Sequence, residues 1–466
     1  MLLVFHQVGT SMMTSRRRLR SMKSALIGAG SIGIAGLVAN LANVLTTFAL
    51  SHLLASRGYG SFNILVYLFL VLTMPGYAVI VAVVRQLTIW KSTKDFKKAH
   101  HSLHRWRLYG LGVTAIAFLV SLVFGEQISS SLSIESSSPI MPILVAGAFW
   151  LVLSIDRGTI QASLAYTKMA RNLLVEGLFR TGGTLVLVGL GDGVQGAMIG
   201  ILISALAADI DARLSIAKLS NPRNSNLVVR DSNSVQDGSL DDIEKVVSGE
   251  SPMPHFTSSR YKIDFMIGLL GLAMLAALAG IDVVVLGKYY PSGSGSYAAI
   301  AVVAKVLFFA ALILSGYLLP EATSRWHRGE SAISPLLLTL GLLALCGAIL
   351  EVFALVGSSS VMHLVFPQRV LHDLHELPML VGAMAFLGLS VILVYYFMGI
   401  GRGEVLILLL IALGILIGLL ISCNGNPWRT VKVDFFLQLG LVSCLLGYLG
   451  LVSRRTSNSV VQASDG

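Results

Sequence analysis

The sequence predicts an all-α polytopic membrane protein with about 12 transmembrane helices, and three observations predict it. Apolar runs of about twenty residues recur roughly a dozen times along the 466 residues, and a helix needs about that length to cross about 30 Å of hydrocarbon. Mean hydropathy is +0.78. Charged residues make up 12% of the chain, well below the share typical of soluble domains.

The runs are Ser24–Leu50, Tyr59–Val84, Leu108–Ile128, Ile140–Ile155, Asn172–Leu190 and Val194–Ala212, then Ile263–Leu286, Ser296–Leu319, Ser334–Val356, Leu377–Met398, Glu404–Ile421 and Val433–Val452. Backbone groups cannot go unpaired in lipid, so each run is read as a helix. Little chain is left over for a soluble domain. The cluster Arg16, Arg17, Arg18, Arg20 and Lys23 precedes the first run as in a signal peptide. That run is too long and has no convincing cleavage site, so it reads as a retained span.

A net charge of +10 would suggest nucleic acid in a soluble chain. Here the distribution of lysine and arginine explains it, and no nucleic-acid partner is expected. With a cytoplasmic N-terminus, inner loops carry about 27 of the 34 basic residues. Both termini are therefore expected on the cytoplasmic side of a cell membrane. The stretch from Lys91 to Arg107 joins basic residues and three histidines to Trp90, Phe96 and Trp106. It reads as an amphipathic helix lying on an anionic inner leaflet.

The polar stretch 215–262 is rich in Ser, Asn and Asp, and reads as a flexible cytoplasmic linker. It divides the chain into an N-terminal six-helix bundle with a basic tail (1–214) and a C-terminal six-helix bundle with a short tail (263–466). A weak repeat supports the division. Ser56-Arg57-Gly58-Tyr59-Gly60-Ser61-Phe62 precedes the second span, and Pro291-Ser292-Gly293-Ser294-Gly295-Ser296-Tyr297 precedes the eighth. Tandem halves of this kind place substrate between them, although outer turns favour Gly and Ser in any case.

Polar residues within the spans are the candidates for function, because a charge at mid-membrane costs at least about 2.5–3.5 kcal/mol. Arg180 lies about 12 Å inside the fifth span at 1.5 Å per residue. Glu176 lies four residues earlier on the same face. Lys305 sits nine residues into the eighth span without a local partner. One reading places both cations in a cavity that meets an anionic substrate such as a diphosphate. The other makes Glu176 and Arg180 a structural pair and lets Lys305 snorkel. Asn40 and Asn43 share a face of the first span and could bond sugar hydroxyls or a neighbouring helix. Asp282, near the outer end of the seventh span, is a candidate for a coupling proton or cation; the alternative is a pair with Lys288.

Other chemistry is poorly represented. Cys346, Cys423 and Cys444 lie in or beside apolar runs and read as packing residues. His100 and His104 have an i,i+4 spacing without an accompanying carboxylate motif, and His372, Asp373, His375 and Glu376 show no established spacing, so no metal is expected. There is no phosphate-binding loop, no catalytic residue stands out and no cofactor is expected. The chain reads as a non-enzyme.

The segment Leu53-Leu54-Ala55-Ser56-Arg57-Gly58-Tyr59-Gly60-Ser61-Phe62 resembles polysaccharide-export flippases of the multidrug/oligosaccharidyl-lipid/polysaccharide (MOP) superfamily, in which a leucine-rich turn ends in Tyr-Gly-x-Phe. Asp156-Arg157-Gly158 with Gln161 is similar to their Arg-Gly-x-x-Gln segment. Gly280-Ile281-Asp282 and Gly295-Ser296-Tyr297-Ala298-Ala299 look like the start of their second half. The insert 215–262 and the lack of a thirteenth and fourteenth span depart from the pattern, the latter against the lipid II flippase branch.

The resemblance implies two bundles around a central cavity, MOP/MATE-like, that opens to alternate faces. The substrate would be an undecaprenyl-diphosphate-linked oligosaccharide flipped from the inner to the outer leaflet for polysaccharide or cell-surface glycan synthesis. Membrane lipids and a glycan polymerase or glycosyltransferases are the partners it suggests. Two alternatives stand beside it: a cation-coupled small-molecule or multidrug exporter of the same fold, and an integral-membrane glycosyl polymerase.

Overall fold

The computed structural model describes residues 35–36, 38–92, 96–163, 165–220, 258–327, 332–356, 362–363, 366–368 and 374–464. The basic N-terminal cluster, most of the predicted linker, and His372 with Asp373 lie outside these residues.

Helices account for nearly everything described. They are α1 (Val38–Leu53), α2 (Ser56–Ser92), α3 (Phe96–Ser131), α4 (Ile140–Ala162), α5 (Tyr166–Leu187), α6 (Gly193–Ser220), α7 (Ser258–Tyr289), α8 (Ser294–Ala304), α9 (Val306–His327), α10 (Ile333–Val356), α11 (Leu377–Gly399), α12 (Val405–Ser422) and α13 (Pro427–Ser464). Among the described residues, ten stretches are long and apolar enough to span a membrane, and α1 is a shorter apolar helix.

One of the ten, Tyr166–Lys218, runs to 53 residues, or about 80 Å as a straight helix. It is a hairpin instead. Gly191 (φ 101°) and Gly193 (φ 55°) adopt left-handed conformations that only glycine takes without cost, and α5 and α6 then pack along one another. A second stretch, Ser294–Ser315, bends within one crossing. At Lys305 (φ −72°, ψ −4°), where α8 meets α9, the backbone stays right-handed, and its N–H bonds to the Ala301 carbonyl (2.9 Å) while its carbonyl accepts from Phe309 (3.2 Å). Eleven of the dozen predicted runs thus find their helices, and α1 covers the described end of the first run, Ser24–Leu50, whose earlier part lies outside the described residues.

The helices fall into two packed groups. In the first, α4 lies at the centre against α2, α3 and α6, while α5 packs on α6. In the second, α11 is central and touches α9, α10 and α13, while α12 packs on α7 and α13. Helix α2 joins the groups by lying against both α7 and α8.

Contacts between the groups gather at one end of the molecule. The two repeat motifs meet face to face there. A methyl group on Gly60 would collide with Ser294, and one on Gly295 with Ser56, so this seam closes only with glycine at both positions. Phe366 packs edge-on against Phe48 (5.1 Å between ring centroids) and Tyr59 (6.3 Å), and Ser133 Oγ donates to the Lys288 carbonyl (2.9 Å).

Two local readings change. The sequence suggests a separate surface helix from Lys91 to Arg107, but Phe96–Arg107 continues without a break into the apolar part of α3. These residues extend a spanning helix. The edges of the predicted linker are also helical, since α6 runs to Ser220 and α7 starts at Ser258. Contacts from α5 hold the extension of α6, with Arg171 donating to Ser215 Oγ (2.8 Å) and Lys168 to the Ser215 carbonyl (3.2 Å).

Candidate functional site

Among the described residues, buried charges gather in both groups of helices. In the first, Asn172, Glu176 and Arg180 recur at intervals of four and so line one stripe of α5. Glu176 accepts from two guanidinium groups. Arg180 reaches its Oε1 at 2.8 Å, and Arg157, from α4, reaches its Oε2 at 2.6 Å.

Arg157 also donates to Asn172 Oδ1 (2.8 Å), and Asn172 passes its amide hydrogens to the Ala208 carbonyl (2.6 Å) and Asp211 (3.2 Å) of α6. Aromatic faces cover both cations. Arg157 lies over Trp150 (5.1 Å) and Arg180 over Phe69 (5.4 Å). The arrangement brings two cations to one carboxylate. The side chain of Arg180 is the more open, at 19% exposed against 4% for Arg157. Tyr77 of α2 stands within electrostatic range of all three charges and is itself exposed. It is also within electrostatic range of Tyr395 of α11 in the other group.

Further along α4, Asp156 accepts from Arg107 of α3 (Nε to Oδ1, 2.6 Å) and lies 3.6 Å from Arg213 of α6. Arg213 also pairs with Asp209 (2.8 Å). This network clamps α3, α4 and α6 together.

The second cluster is more deeply buried. Lys305, where α8 meets α9, is 1% exposed and donates to Asp282 Oδ1 of α7 at 2.8 Å. Tyr297 donates to the other oxygen at 2.9 Å, and the Tyr67 ring of α2 lies 4.1 Å from the ammonium. Asp434 of α13 is within electrostatic range of Asp282 and Lys305. It accepts from Gln438 (3.1 Å), while its Oδ2 has no hydrogen-bond partner among the described residues.

The residues singled out from sequence are therefore distributed over three places. Arg180 and Glu176 are a pair, but inside a larger cluster that supplies a second arginine. Lys305 does have a partner, Asp282, twenty-three positions earlier, and Asp282 is fully buried in the protein. On α1, Asn40 is exposed. Asn43 lies beside α5, where Thr46 donates to Thr181 (3.0 Å), and its Oδ1 is buried with no hydrogen-bond partner among the described residues. The same holds for Arg180 Nε.

Sequence reading quoted Arg157 within the family-like segment but gave it no role in the site, and it did not single out Asn172, Asp434 or the aromatic lids. Arg157 falls two residues past the predicted end of its span, and Asp434 one residue inside the start of another. Helices α4 and α13 extend beyond those predicted ends. Among the described residues no group of His, Cys, Asp or Glu could hold a metal ion, and the three cysteines are free thiols.

The arrangement of helices matches known transporters. The structure of a multidrug-resistance MATE transporter of the MOP superfamily, in an inward-facing conformation, superposes with a TM-score of 0.60 over 90% of this chain and 99% of that one. The chain has the MOP fold. The lipid II flippase MurJ, in an inward closed conformation, gives a TM-score of 0.63 over 91% of this chain and 87% of that one. A MATE transporter in complex with MaD3S gives 0.53 over 92% and 97%. Sequence identities are 12%, 13% and 15% respectively, so the likeness is one of fold. No protein-family model and no curated sequence matches the chain. The apolar helices and this fold make it a multi-pass membrane protein of MOP architecture.

Proposed function

We propose that the protein is an alternating-access transporter of an anionic, lipid-linked oligosaccharide, flipped from the inner to the outer leaflet. One observation carries this reading: Arg157 and Arg180 converge on a single carboxylate, Glu176. The cluster keeps a surplus positive charge, with Arg180 as its more open cation. A diphosphate would meet Arg180 there, whose Nε is unspent. Planar guanidinium groups suit phosphate oxygens better than ammonium does. Asn40, Asn43 and Tyr77 supply groups for sugar hydroxyls, and the lipid tail would remain in the bilayer.

The small-molecule exporter reading asks for a free carboxylate in the middle of the first bundle. Glu176 is held by two arginines, which leaves it little capacity for a proton or cation. That favours the anionic substrate. Energy coupling is assigned to the second cluster, where the buried Asp282–Lys305 pair and the unspent Asp434 Oδ2 lie together. Buried ionisable groups in a membrane protein commonly carry ions or protons.

The test uses the purified chain in vesicles containing a fluorescent polyprenyl-diphosphate oligosaccharide. An impermeant glycosidase added outside should digest about half of the sugar without the protein and nearly all with it. Digestion that stays at half, with correctly inserted protein, would overturn the proposal. Export of a cationic dye in the same vesicles would favour the exporter.

A further inference from the structure

We propose a binding site for an anionic phospholipid of the leaflet that meets the basic loops, in a groove on the outer flank of the first helix group. The site is independent of what the protein transports. Helix α4 packs closely against α2 on one side and α3 on the other. Gly158 meets Val83 and Gly110 meets Val152 with no room for a side chain. Helices α2 and α3 barely touch each other. They splay apart over α4 and leave a cavity of about 280 Å³. Its floor is Leu151 and Ile155, with Val79 and Val83 on one wall and Tyr109 and Val113 on the other. Such a lining suits an acyl chain.

The mouth of the groove supplies the charge. The first three turns of α3, Phe96 to Arg107, hold four Lys or Arg residues, three histidines and no carboxylate. Helix α3 is 36 residues long, about 54 Å, against about 30 Å of hydrocarbon. With its apolar part in the bilayer, these turns stand at headgroup level. Trp106 lines the groove there and stacks on Trp90 at 5.8 Å, in the manner of interfacial tryptophans.

The two arginines divide the work. Arg107 turns inward to Asp156. Arg105 is exposed and bonds the hydroxyl of Tyr109 at 3.0 Å, a residue of the groove wall. A phenol leaves most of the guanidinium donors of Arg105 free for a phosphate. Chain and headgroup would thus be held one above the other, with Tyr109 touching both parts of the site.

The full-length protein is placed in nanodiscs containing phosphatidylglycerol with a photoreactive diazirine on its acyl chain, or phosphatidylcholine with the same group. Phosphatidylglycerol should label peptides spanning 79–83, 106–113 and 151–155 about fivefold more strongly, the effect of about one Arg at a membrane surface. Arg105→Gln, at an exposed position, should reduce that labelling to the phosphatidylcholine level. Val113→Trp should fill the groove and abolish labelling by either lipid. Equal labelling by both lipids in the parent protein would overturn the proposal. So would labelling spread evenly over the lipid-facing residues Phe118 and Leu122. If Val113→Trp fails to fold, the Arg105→Gln comparison decides alone.

Discussion

Tyr67 and Phe69, two residues apart on α2, each cover a cation of a different helix group. Tyr67 lies over Lys305 of the second group at 4.1 Å, and Phe69 over Arg180 of the first at 5.4 Å. A helix turns about 100° per residue, so positions two apart face nearly opposite ways. Helix α2 therefore sits as a partition between the two buried clusters and contacts both. Any shift of α2 against α7 and α8 changes the environment of Lys305, while α2 stays packed on α4 in its own group.

The lid over Lys305 should be measurable. A desolvated cation–π contact contributes about 2 kcal/mol. Tyr67→Leu removes the ring and should lower the melting temperature of the detergent-solubilised protein by several degrees. Tyr67→Phe keeps the ring face and should melt close to the parent. Equal losses in the two variants would mean that the hydroxyl, not the ring face, matters.

The Asp282–Lys305 pair separates structure from function. Lys305→Met alone leaves a carboxylate unpaired in the interior, at a cost of about 3–5 kcal/mol. The single variant should express poorly. Asp282→Asn combined with Lys305→Met removes both charges and should recover insertion and thermal stability. If the pair couples transport to an ion, the recovered protein stays inactive in the vesicle assay. An active double variant would leave the pair a structural role only.

In the first cluster, Arg157 should matter more for folding and Arg180 more for transport. Arg157 is almost wholly buried and bonds both Asn172 and Glu176, whereas Arg180 is partly open and bonds Glu176 alone. Arg157→Gln breaks two buried contacts and should reduce folded protein sharply. Arg180→Gln should insert normally and lose flipping, with Arg180→Lys partly active if charge alone suffices. Measuring monodisperse yield beside the vesicle assay distinguishes the two effects. Full activity in Arg180→Gln would remove that residue from the substrate site.

Much of this was legible in the sequence because lipid imposes a simple rule. Runs long enough to cross hydrocarbon become helices, with little room for any other outcome. The pairing of Glu176 with Arg180 was legible too, because four residues is one helical turn. Lys305 finding Asp282 was not. That contact joins two helices across a turn, and nothing in the spacing of twenty-three residues announces it. Arg157 was obscured for a different reason. Hydropathy ends a span at the first charged residues, whereas the helix continues as long as buried charges find partners, as Asp156 and Arg157 do. The Gly-Ser-aromatic repeat was visible as a pattern, but its use as a seam between the groups required the packing of α2 on α8.

That seam yields the last prediction. Alanine normally stabilises a helix relative to glycine by about 0.5–1 kcal/mol, so Gly60→Ala and Gly295→Ala should be harmless if the positions are merely helical. The packing reverses the sign. An added methyl at Gly60 meets Ser294, and one at Gly295 meets Ser56, both too close to fit without movement. The double variant should therefore hold the two groups apart at this end. Ser61 is the reporter, since it is next to the seam and 5% exposed. With Cys346, Cys423 and Cys444 replaced, Ser61→Cys should resist an impermeant maleimide applied from that side. Adding Gly60→Ala and Gly295→Ala should make it react at least about tenfold faster, the equivalent of about 1.4 kcal/mol toward the open state. Unchanged protection in an inserted, stable protein would show that the glycine seam does not set closure at this end.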